Sequence, residues 1–308
     1  MLQRRHILLD GLRVSFLERG TAVAGEQTLV VLHGLMGSAE TLRPMLESLP
    51  GEMHAVAIDF PGSGESERRD GLDARMGATA DIVLRMIEEL KLDRPCLMGY
   101  SHGAAVALRI GSAHPEKVRS LVLLSPAHPY FKEGDPVVRF YLSLPGRLVA
   151  YSMPWYPQWV QMIALRRMAG PRNSDTLARL KPYRDNLRTP GTISHLLRLL
   201  QTWHADMAEL RKLLRKPVSV ATLMLWGDCD RAVPVESAQE LRAHIERTEM
   251  VVFPGVGHRP AEERAELTAE IVGQWMQRAE LTPRYTPNVS ESHDRMAAFL
   301  SPSFEGGD

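Results

Sequence analysis

The five residues from 99 to 103 match the pattern G-x-S-x-G and place Ser101 at its centre. This pattern is typical of a nucleophile elbow, a tight turn between a strand and a helix that exposes a serine hydroxyl. A short apolar run precedes it at 95–98, and a helical run of small residues follows at 104–110. The flanking glycines permit a sharp turn and close packing of the next helix. We therefore predict that Ser101 can attack a carbonyl carbon.

A serine hydroxyl is nearly inert at neutral pH, so this chemistry also needs a base and a group that fixes the tautomer of that base. His258 lies in a glycine-rich loop that follows the last predicted strand and precedes the last predicted helix. Asp228 and Asp230 lie in the loop after the preceding strand. Both loops belong to the same edge of a parallel sheet, so His258 and one of the two aspartates are candidates to act with Ser101.

The elements that must position these residues follow from hydrophobic patterning. Two apolar runs flank Asp10 and Gly11 and predict an N-terminal β-hairpin. Beyond it, short apolar runs alternate with helical patterns, which is typical of βαβ units and a parallel sheet. The predicted strands are 28–32, 55–58, 96–98, 121–124, 220–226 and 250–253; the predicted helices are 40–49, 79–90, 104–113, 236–245 and 261–277.

The alternation stops between about 128 and 215, where no convincing strand pattern occurs. This segment holds three of the five tryptophans, five of the seven tyrosines, and 14 Lys or Arg against six Asp or Glu. The aromatic residues either form the core of the insertion or line a pocket above the site, with Trp155, Trp159 and Trp203 as candidates. The charges either solvate helix faces or favour a carboxylate-bearing substrate, an acidic carrier protein or a coenzyme A thioester.

Four motifs occur in order, each at the end of a predicted strand: H-G-x-x-G at 33–37, D-x-P-G-x-G-x-S at 59–66, G-x-S-x-G at 99–103 and W-G-x-x-D-x-x-x-P at 226–234. Together with the order Ser, Asp, His, they resemble the α/β-hydrolase superfamily over residues 6 to 278. His33 and Asp59, the first residues of two motifs, are expected to brace their own turns.

This resemblance implies a doubly wound, mostly parallel eight-stranded sheet with an inserted helical cap. The expected division is core at 1–127, cap at 128–215, core at 216–278 and a C-terminal tail at 279–308. The family's acid position falls on Asp230 rather than Asp228, which completes a triad with Ser101 and His258. The family's oxyanion hole would use the backbone N–H groups of Leu35 and His102.

The composition and the distribution of residues limit which kinds of partner and cofactor we expect. Lys and Arg number 37, as do Asp and Glu, and this balance argues against nucleic acid. Two cysteines are too few for a disulfide scaffold. The eleven histidines are scattered, so no metal is predicted, and no cofactor is expected. The N-terminus does not resemble a signal peptide, and no apolar segment approaches the ~20 residues of a membrane span. A cytoplasmic protein is expected, and its oligomeric state stays open.

The expected activity is serine-dependent acyl transfer on a small-molecule ester, thioester or lactone. Carbon–carbon bond hydrolases of the meta-cleavage-product type resemble this chain in the same motifs and are the enzymatic alternative. A non-hydrolysing small-molecule receptor on the same fold is the alternative from another class.

Overall fold

The computed structural model describes residues 1–23, 27–131, 135–171 and 177–279. Eight strands form one sheet in the order β1-β2-β4-β3-β5-β6-β7-β8. Their bounds are β1 Leu2–Leu9, β2 Leu12–Arg19, β3 Leu29–Leu32, β4 Ala55–Ile58, β5 Cys96–Tyr100, β6 Ser120–Leu124, β7 Ala221–Gly227 and β8 Thr248–Phe253. β1 pairs antiparallel with β2, and β2 pairs antiparallel with β4. The remaining pairs are parallel.

The central strands are apolar throughout because both faces of the sheet are covered. Every residue of β3, β4, β5 and β6 is buried. Along β3, Val30 and Leu32 pack into one hydrophobic core, whereas Leu29 and Val31 pack into the other. This alternation places a separate core on each face, as a doubly wound sheet requires. The predicted fold class is confirmed.

The described residues include eleven α-helices: α1 Arg43–Glu47, α2 Met76–Glu89, α3 His102–Ala113, α4 Asp135–Leu142, α5 Leu144–Ser152, α6 Gln158–Arg167, α7 Leu177–Arg188, α8 Thr192–Leu213, α9 Ala238–Arg242, α10 Pro260–Glu263 and α11 Ala265–Ala279. The predicted helix at 261–277 is interrupted at Arg264, whose φ of −135° is not helical. The predicted helix at 236–245 is shorter, since 3-10 geometry precedes α9.

Between β6 and β7, the part of the chain that the structure describes contains helices and loops but no strand of the sheet. We call α4 to α8 the helical insertion. The predicted tail beyond residue 279 lies outside the described residues. None of the described helices combines the length and apolar character that crossing a bilayer requires.

The parallel strands bring their carboxyl ends to one edge of the sheet, where ligands bind in open α/β sheets. The loops after β3, β5, β7 and β8 carry Leu35, Ser101, Asp230 and His258, respectively. The fold therefore gathers the residues singled out by sequence at one edge.

Candidate active site

Ser101 forms the turn between β5 and α3 in a conformation that few non-glycine residues adopt. Its φ is +50° and its ψ is −111°. Its backbone N–H donates to the carbonyl of Leu124 at 2.9 Å, and its carbonyl accepts from Ala104, Ala105 and Ala127 at 3.1 Å each. The surrounding backbone thus holds a strained conformation, and such strain commonly marks functional positions.

The two flanking glycines are required by close contacts of the backbone. A Cβ atom at Gly99 would lie 2.3 Å from the carbonyl oxygen of Gly103. A Cβ atom at Gly103 would lie 2.4 Å from the carbonyl oxygen of Leu32. The elbow can therefore form only where both positions lack a side chain.

Ser101, His258 and Asp230 form one chain of hydrogen bonds. Ser101 Oγ lies 3.1 Å from His258 Nε2, and His258 Nδ1 lies 2.8 Å from Asp230 Oδ2. His258 is 3% exposed and Asp230 is 6% exposed. In the neutral histidine, Nδ1–H donates to the carboxylate, which leaves Nε2 to accept the serine proton. This geometry suits activation of the Ser101 hydroxyl.

The two aspartates of the loop after β7 have different partners. Asp230 Oδ1 accepts from the backbone N–H groups of Ala232 and Val233, at 2.9 Å each, which fixes the carboxylate toward His258. Asp228 is exposed, and its carboxylate accepts from the N–H of Gly255 at 2.7 Å. Asp228 thus ties two loops together, and Asp230 alone of the pair contacts His258.

The two residues predicted to form the oxyanion hole, His102 and Leu35, lie on different backbone segments. His102 is the first residue of α3, where N–H groups have no acceptor within the helix. Leu35 follows Gly34, and a Cβ atom at Gly34 would lie 3.3 Å from Ser101 Cβ. Met36, next in the chain, has a φ of +64°, which turns the loop sharply after Leu35. The two predicted oxyanion-hole residues therefore lie on segments that adjoin Ser101.

His33 and Asp59, expected to brace their own turns, also link the turns after β3 and β4 to each other. His33 Nδ1 donates to the carbonyl of Gly34 at 2.8 Å, while Nε2 accepts from the N–H of Phe60 at 3.1 Å. Burial lowers the pKa of His33, which agrees with this neutral tautomer. The fully buried Asp59 carboxylate accepts from the Ala39 and Glu65 N–H groups and pairs with Arg4 at 2.5 Å.

Glu263 holds the loop that carries His258, a role that the sequence analysis missed. Its carboxylate accepts from the backbone N–H groups of Gly257 and Arg259, on either side of the histidine, at 3.1 Å each. It also accepts from the N–H of Gly170 at 2.8 Å, and the N–H of His258 donates to the carbonyl of Met168 at 2.7 Å. The sequence signal that could have indicated this role is an acidic residue in the first turn of a helix, which can bind the backbone N–H groups just before that helix.

Asn186, on α7, is a second residue that sequence reasoning missed. Its side-chain amide donates to the carbonyls of Met36 and Gly37 at 2.9 and 2.8 Å. Its oxygen accepts from the N–H of Gly64 at 2.8 Å and from Arg68 at 3.0 Å. This side chain links the helical insertion to the loop of Leu35 and to the turn of Asp59.

A cavity of about 100 Å³ lies between the helical insertion and the loops after β3, β5 and β8. On the side of the sheet the cavity is bordered by Leu35, Tyr100 and Arg259. Leu35 is a predicted site residue, and the other two are sequence neighbours of Ser101 and His258. Most of the lining is apolar: Leu35, Met36, Met153, Pro154, Ala164, Leu165, Met168, Leu180 and Leu187, with Tyr100, Gln161, Tyr183, Arg184 and Arg259 completing it. Such a cavity suits an apolar group bound beside Leu35 and Tyr100.

The three tryptophans expected in the pocket lie elsewhere. All three belong to the described residues, and none of the three lines the apolar cavity. Trp155 and Trp159 are 68% exposed, since they lie on outward-facing parts of the helical insertion. Trp203 is half-buried, packs against the sheet core and has its ring centroid 6.1 Å from that of His102. Methionine and leucine side chains, rather than these three rings, surround the apolar cavity.

The side chain of His102 is neutral and packs inside the protein. It is 3% exposed, and within the described chain neither of its ring nitrogens has a hydrogen-bond partner. Burial lowers its pKa to about 3, with smaller contributions from His33 and His195. With His195 it lines a second, smaller cavity beside Gly34 and Leu35.

Within the described ranges, no three His, Cys, Asp or Glu side chains are grouped in a way that could hold a metal ion. At this edge of the sheet, hydrogen bonds join a serine hydroxyl, an imidazole and a carboxylate.

A doubly wound sheet that carries such a site at its carboxyl edge defines a hydrolase of the α/β type. The model of the alpha/beta hydrolase family matches residues 29–271, and the chain belongs to this family. This finding and the named relatives below agree that the protein is a hydrolase.

Two relatives cover most of the chain. It is 28% identical over 264 residues to a pimeloyl-[acyl-carrier protein] methyl ester esterase of Neisseria meningitidis serogroup C, covering 82% of this chain and 95% of that protein. It is 26% identical over 287 residues to the 2-hydroxymuconate semialdehyde hydrolase of Pseudomonas sp. strain CF600, covering 90% and 94%. The crystal structure of Cfl2 from Burkholderia cenocepacia superimposes with a TM-score of 0.77 at 24% identity, covering 89% of this chain and 96% of that one, and supports the fold.

Proposed function

We propose that this protein is a serine hydrolase that cleaves a carboxylic ester through an acyl-enzyme on Ser101. The observation that carries the proposal is the continuous hydrogen-bond chain from Ser101 Oγ through His258 to Asp230, at 3.1 and 2.8 Å. A strained elbow presents the hydroxyl, and a buried carboxylate orients the imidazole. A thioester or lactone would react by the same steps.

The proposed reaction begins when His258 Nε2 takes the proton of Ser101 Oγ as the oxygen attacks the ester carbonyl. The N–H groups of Leu35 and His102 would stabilise the oxyanion, and loss of one such donor typically lowers the rate about a hundredfold or more. His258 then protonates the departing alkoxide, which leaves the acyl group on Ser101. Water, deprotonated by His258, attacks the acyl carbonyl and releases the acid.

In this proposal the helical insertion acts as a cap that shields the reacting ester from water. The apolar lining of the cavity favours an apolar acyl group over a charged one. Arg184 and Arg259 are the cationic members of the lining, and Arg259 is bound to Glu262 at 2.9 Å. The charge surplus of residues 128–215 therefore does not by itself indicate a carboxylate-bearing substrate.

A second candidate, carbon–carbon bond hydrolysis, is favoured by the similarity to 2-hydroxymuconate semialdehyde hydrolase over 90% of this chain. Cleavage of a dienone of that type would use the same serine and histidine. The relative named as a methyl ester esterase favours ester cleavage instead.

The test is a panel of p-nitrophenyl acetate, butyrate and octanoate together with a 2-hydroxy-6-oxo-dienoate, using the wild-type protein and Ser101→Ala. We expect a stoichiometric burst of p-nitrophenol from the esters, a higher kcat/KM for butyrate than for acetate, and no turnover by Ser101→Ala. Turnover of the dienoate alone would favour the second candidate. Binding of esters without any turnover would favour a receptor, and turnover that survives Ser101→Ala would contradict both hydrolytic proposals.

A further inference from the structure

Large apolar side chains that face solvent are concentrated in one segment. Of the ten exposed large apolar residues in the described chain, seven lie between 140 and 163, with exposures from 45% to 75%. We call these seven the exposed apolar face: Phe140, Leu144, Leu148, Tyr151, Trp155, Trp159 and Ile163. Clustered exposure of this kind marks an interaction site, whereas single exposed apolar residues are common.

The spacing places these residues on outward faces of consecutive helices. Leu144, Leu148 and Tyr151 are separated by four and three residues on α5, so they share one side of that helix. Trp159 and Ile163 are four residues apart on α6, and Trp155 lies in the short turn between the two helices. Folding has thus left an apolar surface uncovered along α5, the turn and α6.

The charges of this segment and its flanks, residues 136 to 171, have one sign. From residue 136 to 171 the sequence has no Asp or Glu and four arginines, Arg139, Arg147, Arg166 and Arg167. All four are exposed. Trp and Tyr together with Leu and Arg are the residues that bind the interface between lipid headgroups and acyl chains, where anionic lipids attract the arginines.

We propose that the exposed apolar face binds the surface of a bilayer that contains anionic phospholipids. A second copy of the chain fits less well, because a symmetric interface would bring eight arginines together with no carboxylate from this segment to neutralise them. An anionic lipid surface supplies both the apolar depth for Trp155 and Trp159 and the negative charge for the arginines.

The apolar face and the cavity lie on opposite sides of the same segment. Met153, Pro154 and Leu165 line the cavity, whereas Trp155, Trp159 and Ile163 face solvent. A helix is about 10 Å across, so a bound bilayer would lie roughly one helix from the cavity. If the protein takes an apolar ester from the bilayer to Ser101, that step rests on the proposed function. Binding of the exposed apolar face to the bilayer does not depend on the proposed function.

The test measures binding of the full chain to vesicles of phosphatidylcholine alone and of phosphatidylcholine with 30% phosphatidylglycerol, by co-sedimentation. We expect at least tenfold tighter binding to the anionic vesicles, reduced by 0.5 M NaCl because salt screens surface charges. With brominated lipids, tryptophan fluorescence should be quenched on binding. Trp155→Phe/Trp159→Phe should still bind but lose most of that quenching, since Trp226 and Trp275 are buried and Trp203 is half-buried against the sheet core.

Two variants separate the apolar and charged contributions. Trp155→Ser/Trp159→Ser and Arg166→Glu/Arg167→Glu should each weaken binding to anionic vesicles at least tenfold. The matched controls are Leu8→Ser, an exposed apolar residue on β1, and Arg215→Glu/Lys216→Glu, an exposed basic pair after α8. Both controls should bind as the wild-type protein does, and thermal melting confirms that each variant is folded.

Three outcomes would overturn the proposal. The first is no binding to anionic vesicles. The second is equal weakening by Arg215→Glu/Lys216→Glu and Arg166→Glu/Arg167→Glu, which would indicate attraction by total charge. The third is a dimer in sedimentation velocity that Trp155→Ser/Trp159→Ser dissociates, with no binding to vesicles, which would assign the face to a second copy. None of these results depends on whether Ser101 hydrolyses esters.

Discussion

Asp228 and Asp230 are two residues apart, yet their carboxylates serve different groups. Inside the protein, Asp230 accepts a hydrogen bond from His258 Nδ1 at 2.8 Å. At the surface, Asp228 accepts one from the backbone N–H of Gly255. Only the first arrangement can fix the tautomer and orientation of the proposed base. Asp230 is therefore the carboxylate that can act with His258 in the proposed triad.

Asp230→Asn should lower kcat for p-nitrophenyl butyrate by about a thousandfold or more, because an amide facing Nδ1 favours the wrong imidazole tautomer. Steady-state kinetics measures the change, and Asp228→Asn is the matched control, expected to stay within about threefold of wild type. A larger loss of kcat in Asp228→Asn than in Asp230→Asn would reverse the assignment.

At the scale of elements, a few polar side chains link the helical insertion to the loops after β3, β4 and β8. Asn186 is 4% exposed and connects α7 with the loop after β3 and the turn after β4. Glu263 connects the loop after β8 with Gly170. These contacts hold the insertion above Ser101 and keep the loop of Leu35 in place.

Asn186→Ala should destabilise the protein by roughly 1–3 kcal/mol, because it leaves a buried carbonyl of Gly37 and partly buried backbone groups of Met36 and Gly64 without their partner. It should also lower kcat, because the loop that carries Leu35 loses its support. Urea unfolding and ester kinetics measure the two effects. Asp185→Ala is the control: Asp185 is half-exposed and pairs with Lys181 at the surface, so its loss should change stability by less than about 1 kcal/mol. Equal effects of the two substitutions would contradict this role of Asn186.

The strands and the elbow were predictable because their signals are local. An apolar run such as Leu29–Leu32 indicates a buried strand, and the glycines around Ser101 indicate a turn that tolerates no side chain. Asn186 was not predictable, since it meets Gly37 across 149 residues through backbone groups that carry no residue identity. The direction in which the tryptophans face was not predictable either: α6 carries both the exposed Trp159 and the buried Met162, and composition alone does not tell them apart.

At the scale of the whole molecule, buried neutral histidines make stability depend on pH. Burial lowers the pKa of His102 to about 3 and those of His128 and His195 to about 4. In the unfolded chain a histidine has a pKa near 6.5. Between these values the unfolded state binds protons that the native state does not, so acid favours unfolding.

The free energy of unfolding should therefore fall as the pH decreases from about 6.5 to about 4, by up to about 1.4 kcal/mol per pH unit for each such histidine. Urea unfolding at pH 7 and pH 4.5 measures the fall. His128→Phe should reduce it, because His128 packs against Trp226 at 2% exposure and would no longer be protonated on unfolding. The exposed His114→Gln is the control and should leave the fall unchanged. An undiminished fall in His128→Phe would show that other groups dominate acid unfolding.

The central claim is that Ser101 is the nucleophile of this hydrolase, and covalent labelling tests it most directly. The wild-type protein is treated with a fluorophosphonate, and the site of modification is mapped by peptide mass spectrometry. The account predicts one adduct per chain on the peptide containing Ser101, a loss of labelling after heat denaturation, and no adduct in Ser101→Ala. An adduct that persists in folded Ser101→Ala, or a folded wild-type protein that does not react, would contradict the account.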